Sequence, residues 1–299
     1  MEQGLTGEQT VRTVQAQIQY LAESSFVNRR FVSAGAERST GQYEAWQVTI
    51  RDGRAVREAL TLDRHGFQLL DHHSAIRDFH DSEEVEAHYP AEAIALIKSV
   101  TGASHVLPRG WMIRTAAKIP PAAGKVKGYK HHGGIQPPAG EAHVDYSPET
   151  APRTAEQVYR GSFPEGAGYS RFIAFSLWRA LSPPPQNCPL AVCDGRSLRD
   201  DEGVRNPLHV VDEMPSEEAM LADIPGEDAL IAASVFRFRP AHRWWYFSNM
   251  TRDEALLFKF YDSDRSVTWR CPHTAFYDDS LPGAHIRESI EARLIAYFD

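Results

Sequence analysis

From about residue 104 the chain becomes a succession of short apolar runs divided by Pro- and Gly-rich turns. This texture constrains the fold more than any other feature. The runs at 105–108, 111–116, 172–180, 189–194, 230–238, 242–248 and 255–263 are each four to nine residues long. Runs of that length, rich in β-branched and aromatic residues, suit the strands of a sandwich or barrel. None approaches the ~20 apolar residues a helix needs to span a bilayer. The expectation is a mainly β fold with flanking helices around a double-stranded β-helix core, the jelly-roll shape of cupins.

The remainder is read as decoration on one domain covering 1–299. Residues 1–103 form an N-terminal layer on the core. Val11, Val14, Ile18 and Leu21 recur at helical spacing after Thr10, so 8–24 is expected to be an amphipathic helix or a docking arm, and a possible homodimer element. Residues 43–50 and 57–62, joined by Arg51-Asp52-Gly53-Arg54, are expected to form a hairpin. Residues 83–99 read as a helix that Pro90 breaks or kinks. The acidic stretch 198–228 reads as an insertion with a helix near 215–222. The Pro/Gly/Lys/His stretch at 118–141 is long enough to be a functional lid.

Charge and cysteine content exclude several functions. A net charge of -8 with no basic run argues against nucleic acid and anionic membrane surfaces as partners. Cys188, Cys193 and Cys271 form no C-x-x-C pair, so a disulfide framework or structural zinc site is not expected. The polar start lacks the apolar segment of a secretory signal, and a soluble, cytoplasmic protein is expected.

The chemistry concentrates at His143-Val144-Asp145, the one H-x-D in a chain with 13 His. On a strand, residues two apart share a face, so the imidazole and the carboxylate can converge on one metal ion. A histidine, a carboxylate and one distant histidine make the 2-His-1-carboxylate facial triad, which holds non-heme Fe(II) and leaves positions open. His273 and His242 compete as the third ligand. His273 is preferred because Arg287 and Ser289 follow it, fourteen and sixteen residues on. A hairpin turning through Asp278-Asp279-Ser280-Leu281-Pro282-Gly283 is expected to set them on the strand beside His273. A guanidinium fork with a hydroxyl next to it suits the distal carboxylate of 2-oxoglutarate. A second Arg-x-Ser, Arg160-Gly161-Ser162, falls in a Gly/Pro-rich stretch and follows no such histidine.

The residues also resemble a family. Thr101-Gly102-Ala103-Ser104-His105-Val106, His143-Val144-Asp145-Tyr146, Leu177-Trp178-Arg179-Ala180-Leu181 and Pro189-Leu190-Ala191-Val192-Cys193-Asp194 are similar to stretches of the AsaB-type hydroxylase/desaturase group, which includes CmcJ-like proteins. The likeness continues through His242-Arg243-Trp244-Trp245-Tyr246-Phe247, Phe258-Lys259-Phe260-Tyr261-Asp262-Ser263, His273-Thr274-Ala275-Phe276 and Arg287-Glu288-Ser289-Ile290-Glu291-Ala292-Arg293. It implies an Fe(II)/2-oxoglutarate-dependent oxygenase of secondary metabolism, using Fe(2+), 2-oxoglutarate and O2. His143, Asp145 and His273 are then iron ligands, and Arg287 with Ser289 the 2-oxoglutarate anchor. Hydroxylation, desaturation and oxidative cyclisation of a small molecule all fit.

Arg114, Lys130, Tyr146, Trp178, Arg179, His242 and Trp244 are the candidate substrate-facing residues. Core packing or a solvated surface is the competing reading for each. An arginine pointing into a barrel, as Arg114 or Arg179 would, normally meets a carboxylate. Two rival functions are an oxygenase-fold partner without catalysis of its own and a cupin-type metal enzyme that does not use 2-oxoglutarate. The intact triad disfavours the first; Arg287-x-Ser289 disfavours the second.

Overall fold

The computed structural model describes residues 11–33, 36–117 and 135–299. Its strands in chain order are β1 (Thr13–Leu21), β2 (Arg30–Ser33), β3 (Ala36–Ser39), β4 (Tyr43–Asp52), β5 (Phe67–Asp71) and β6 (His105–Thr115). There follow β7 (Ile135–Gln136), β8 (His143–Val144), β9 (Arg171–Ala180), β10 (Leu190–Cys193) and β11 (Val204–Val210). The last are β12 (Ala232–Val235), β13 (Trp244–Tyr246), β14 (Glu254–Asp262), β15 (His273–Ala275) and β16 (Glu288–Phe298). They form two sheets: ten strands in the order β1-β4-β13-β10-β15-β8-β12-β11-β2-β3, and six in the order β5-β14-β9-β16-β6-β7. The helices are α1 (Leu62–His65), α2 (Ser82–Thr101), α3 (Thr150–Ser162) and α4 (Glu217–Leu221). None of the described helices is long and apolar enough to cross a membrane.

The six-stranded sheet is covered on both faces, and its sequence shows it. All nine residues of β14 are buried. Along β9, Phe172, Ala174, Trp178 and Ala180 belong to the core shared with the ten-stranded sheet, whereas Ile173, Phe175 and Leu177 face a second core under α2. The side chain of Asp81 caps α2 by accepting from the backbone N–H groups of Glu83 and Glu84. The helix runs on through Pro90 to Gly102, whose φ of 70° is a conformation glycine adopts without strain. Val85, Tyr89, Ala93 and Ile97, four apart, form its buried stripe. Burial of a side chain such as Val85 or Ile97 contributes roughly 1.5–3 kcal/mol.

The N-terminal layer differs from expectation. Residues 13–21 form a strand: Val14, Ala16, Ile18 and Tyr20 are buried, and Thr13, Gln15 and Gln17 are exposed. This alternation of period two is satisfied by pairing with β4 over Thr13–Leu21. The segment is thus a sheet strand and not a helical dimer element. The expected hairpin is also replaced. β4 pairs with β1 and β13, while Arg54–Ala59 is a 3₁₀ turn. Residues 198–228 do contain the helix α4, but they also supply β11, which pairs with β12 and β2. Arg160 and Ser162 lie in the last turn of α3, not in a loop.

Candidate metal centre

His143 and His273 are direct cross-strand partners on β8 and β15, in the middle of the ten-stranded sheet. Register alone therefore sets their rings on one face, with centroids 4.3 Å apart. Asp145 follows two residues after His143 and shares its face. Its Oδ1 lies 3.5 Å from His143 Nε2 and 3.6 Å from His273 Nε2. One ligand atom from each of the three residues lies within 4.8 Å of the others.

The outer contacts prepare these atoms for a metal. His143 Nδ1–H donates to the Glu141 carbonyl at 2.9 Å, and His273 Nδ1–H to the Cys271 carbonyl at 3.3 Å. A carbonyl only accepts, so the proton belongs on Nδ1 and the Nε2 lone pair is available to a ligand. Phe258 and Phe260 pack against the His273 ring, with centroids at 4.7 and 5.6 Å, and seal this side of the site.

The charges are interdependent. Burial opposes ionisation of Asp145, but Arg293 and the two imidazoles outweigh it and hold the carboxyl well below the usual carboxylate range. Burial also opposes a charge on His143, yet its hydrogen bond to Asp145 and the nearby Glu141 and Asp145 charges raise it above an ordinary histidine. His273 is pushed down by burial and by its neighbour His143. A cation bound among these groups would compete with protons for the Nε2 atoms and the carboxylate.

Arg287 and Ser289 come from the opposite sheet. The expected hairpin is absent because β15 belongs to the ten-stranded sheet and β16 to the six-stranded one. The segment between them crosses from one sheet to the other, so Arg287 and Ser289 do not extend the strand of His273. The backbone N–H of Arg287 is held by Asn187 Oδ1 at 3.0 Å. The Arg287 side chain is 1% exposed and has no acidic partner among the described residues. Its Nη1 reaches Ser289 Oγ at 3.4 Å, its Nη2 lies 4.0 Å from Cys188 Sγ, and its Nε has no partner. Burial accordingly pulls this guanidinium below the usual arginine range. A buried cation without an anion is costly unless a ligand supplies one. Trp178 lies under it, with the guanidinium 5.8 Å from the indole ring and the indole Nε1 without a partner among the described residues.

The other candidates separate cleanly. Arg114 is on β6 and donates to Glu291 at 3.3 Å and to the Pro137 carbonyl at 2.9 Å, so its charge is matched within the protein. Tyr146 is partly buried and makes an edge contact with Phe260 at 6.0 Å, close to the triad. Arg179 is a correction. Strand alternation turns Trp178 inward and Arg179 outward, beneath α2. There it donates to the His72 and Arg252 carbonyls and lies against Tyr89 and His72. His242 is engaged at both ring nitrogens, by Tyr20 Oη at 3.2 Å and Glu202 at 2.9 Å. Trp244 is a core residue whose indole N–H donates to Tyr20 Oη at 2.7 Å. Lys130 and most of the 118–141 stretch lie outside the described residues.

Sequence reasoning passed over Glu291 and Arg293 as parts of the site. Arg293 holds Asp145 Oδ2 at 2.7 Å and Glu291 at 2.9 Å. The signal was present: Arg287, Ser289, Glu291 and Arg293 are polar residues at every second position of one strand.

A histidine pair and a carboxylate on one sheet of a double-stranded β-helix, faced by a buried arginine from the other sheet, define a class of mononuclear metal-dependent oxidoreductases. Residues 18–297 match the family described as an oxidoreductase/YMDC permease-like domain (YDMC), and the chain belongs to it. It is 32% identical to the hydroxylase/desaturase EfuI of Hormonema carpetanum, over 97% of this chain and 96% of that protein. It is 30% identical to the Fe(II)/2-oxoglutarate-dependent dioxygenase NvfI of Aspergillus novofumigatus, over 88% of this chain and 87% of that one. The hydroxylase/desaturase AsaB of Aspergillus flavus is 36% identical over 44% of this chain and 57% of its own length. The fold matches the solved structure of the iron and α-ketoglutarate-dependent endoperoxidase NvfI, with a TM-score of 0.75 over 96% of this chain and 98% of that one, at 24% identity.

Proposed function

We propose that this chain, working as one domain over 1–299, is an Fe(II)/2-oxoglutarate-dependent oxygenase. It oxidises an unactivated C–H bond of a small molecule in secondary-metabolite biosynthesis. His143, Asp145 and His273 hold the iron, and Arg287 with Ser289 binds the distal carboxylate of 2-oxoglutarate. The observation that carries the reading is Arg287: a fully buried guanidinium on the sheet opposite the three-ligand metal set, with a hydroxyl beside it and no carboxylate partner among the described residues. The donor set also fits, since two neutral imidazoles with free Nε2 atoms and one ionised carboxylate suit Fe(II). A cytoplasmic setting is part of the proposal, supported by three buried, unbridged thiols.

When bound, the iron and the keto acid consume dioxygen, release succinate and carbon dioxide, and deliver the oxidising equivalent to the substrate. The chain's own residues supply position and dryness. Arg287 and Ser289 fix one end of the keto acid by charge-assisted hydrogen bonds. Trp178 floors that end. Phe258 and Phe260 exclude water from the His273 side. Tyr146, at the edge of the triad, is the residue best placed to meet the substrate. Relatives carry names as different as hydroxylase/desaturase and endoperoxidase. The fate of the substrate is therefore set by its own pose above the metal.

Succinate release tests the proposal. Purified chain supplied with Fe(II), 2-oxoglutarate and O2 is expected to form succinate slowly without substrate and faster with an accepted one. Arg287→Ala is expected to need much more 2-oxoglutarate for the same rate. If neither protein forms succinate, and 2-oxoglutarate does not bind, the reading is wrong.

A further inference from the structure

The strand that carries Arg287 and Ser289 also carries a second device aimed at the metal ligands. Beyond Ser289, Glu291 and Arg293 point to the same interior face, and their contacts form a continuous ladder. Arg114 reaches Glu291 Oε2 at 3.3 Å, Glu291 Oε1 meets Arg293 Nε at 2.9 Å, and Arg293 Nη2 meets Asp145 Oδ2 at 2.7 Å. The neighbouring strand β6 is irregular at the level of Arg293. Where β6 pairs with β16, the register shifts between Ala292 and Leu294: Arg109 and Gly110 of β6 stand opposite Arg293 alone. Gly110 has a φ of 106°, in the region glycine tolerates and other residues resist. A bulge of this kind bends β6 beside the site, while β16 keeps an unbroken register with β9 through Arg293.

The two oxygens of Asp145 are thereby given different tasks. Oδ1 faces both histidine Nε2 atoms, at 3.5 and 3.6 Å, and Oδ2 is tied to the guanidinium. We propose that Arg293 is a positioning residue that keeps Asp145 a one-oxygen ligand, reserving the remaining coordination positions for co-substrate and dioxygen. This role rests on the oxygenase reading above and on the number of coordination positions. A carboxylate can bind a metal through one oxygen or two. On a six-coordinate ion, two histidines and one oxygen leave three positions, two for the keto acid and one for dioxygen. If Asp145 bound through both oxygens, only two positions would remain, and chelated 2-oxoglutarate would fill them. Arg293 competes for Oδ2 with a charge-assisted hydrogen bond. Glu291 and Arg114 hold Arg293 in turn, so the clamp costs no unpaired charge: two acids and two arginines alternate along the ladder.

The test uses Arg293→Met, which keeps the bulk and removes the fork, and Glu291→Gln/Arg293→Gln, which removes the inner acid and arginine together and guards against misfolding of the first. Crystal structures of the chain loaded with Mn(II) alone report how Asp145 binds, with no co-substrate present. The expected result is one Asp145 oxygen on the metal in the unaltered protein and two in either variant, each at one metal per chain. Anaerobic titration of the Fe(II)-loaded proteins with 2-oxoglutarate forms the second arm. There the variants are expected to lose affinity by about tenfold or more, the scale typical of outer-shell changes. One-oxygen coordination retained in both variants overturns the role, as does unchanged 2-oxoglutarate affinity. Parallel loss of metal and thermal stability reduces Arg293 to a structural ion pair. If Asp145 switches from one oxygen to two but even the unaltered protein ignores 2-oxoglutarate, the clamp stands and the co-substrate reading fails.

Discussion

Two histidines, His273 on the ten-stranded sheet and His242 in the turn that leads into it, sit beside a carboxylate, and their surroundings differ in one decisive way. His242 has both ring nitrogens committed, to Tyr20 Oη and to Glu202, and it stacks on the Tyr20 ring at 5.7 Å. Burial lowers its basicity, with Glu202 only partly compensating. Such a histidine ties β1 to the strands beside it and has no lone pair to offer. His273 commits only Nδ1, to a backbone carbonyl, and turns Nε2 toward Asp145 and His143. A carboxylate whose second oxygen already belongs to Arg293 does not saturate the cluster. The lesson is that a buried histidine next to an acid identifies a metal site only when one nitrogen of the ring and one oxygen of the acid remain uncommitted.

The largest expected effect follows from that contrast. His273→Ala should lower Fe(II) affinity by at least the roughly 100-fold at the top of the range for outer-shell changes, read as iron retained after anaerobic loading and desalting. His242→Ala should keep its iron; iron lost there and kept in His273→Ala would reverse the comparison. Next comes Arg287→Ala, which removes a bidentate charge-assisted contact of about 1.5–3 kcal/mol and should weaken 2-oxoglutarate binding by roughly 10- to 100-fold while leaving iron in place. His242→Ala should appear in stability instead. Leaving Glu202 and Tyr20 short of a partner costs about 1–3 kcal/mol, measurable by denaturant unfolding of the metal-free chain. The smallest effect belongs to Arg160→Ala. That arginine pairs with Glu156 on the surface of α3, and neither iron binding nor unfolding should change.

The site was more legible in the sequence than the layer around it, for physical reasons. His143 and Asp145 needed only the two-residue period of a strand, and Arg287 with Ser289 needed the same rule. Which strands lie side by side was not legible. The turn at 278–283 looked like a hairpin, yet the chain crosses between sheets, because local turn chemistry does not encode sheet membership. Residues 13–20 were misread because Val14, Ile18 and Leu21 satisfy a helical spacing. Counting Ala16 and Tyr20 as apolar would have exposed the strict alternation with Thr13, Gln15, Gln17 and Gln19. Arg179 was placed in the interior because both faces of β9 are buried and hydropathy does not distinguish them. Glu291 and Arg293 were not singled out, since a buried ladder of alternating sign resembles a solvated strand until its partners are known.

The central claim is that His143, Asp145 and His273 form an iron site completed by 2-oxoglutarate held on Arg287. Anaerobic addition of 2-oxoglutarate to the Fe(II)-loaded chain, followed in the visible, tests it most directly. The account predicts a weak charge-transfer band that saturates at one equivalent per chain, disappears in His143→Ala and His273→Ala, and persists in His242→Ala. A chain that binds iron but shows no band, or a band that survives His273→Ala and is lost in His242→Ala, would contradict it.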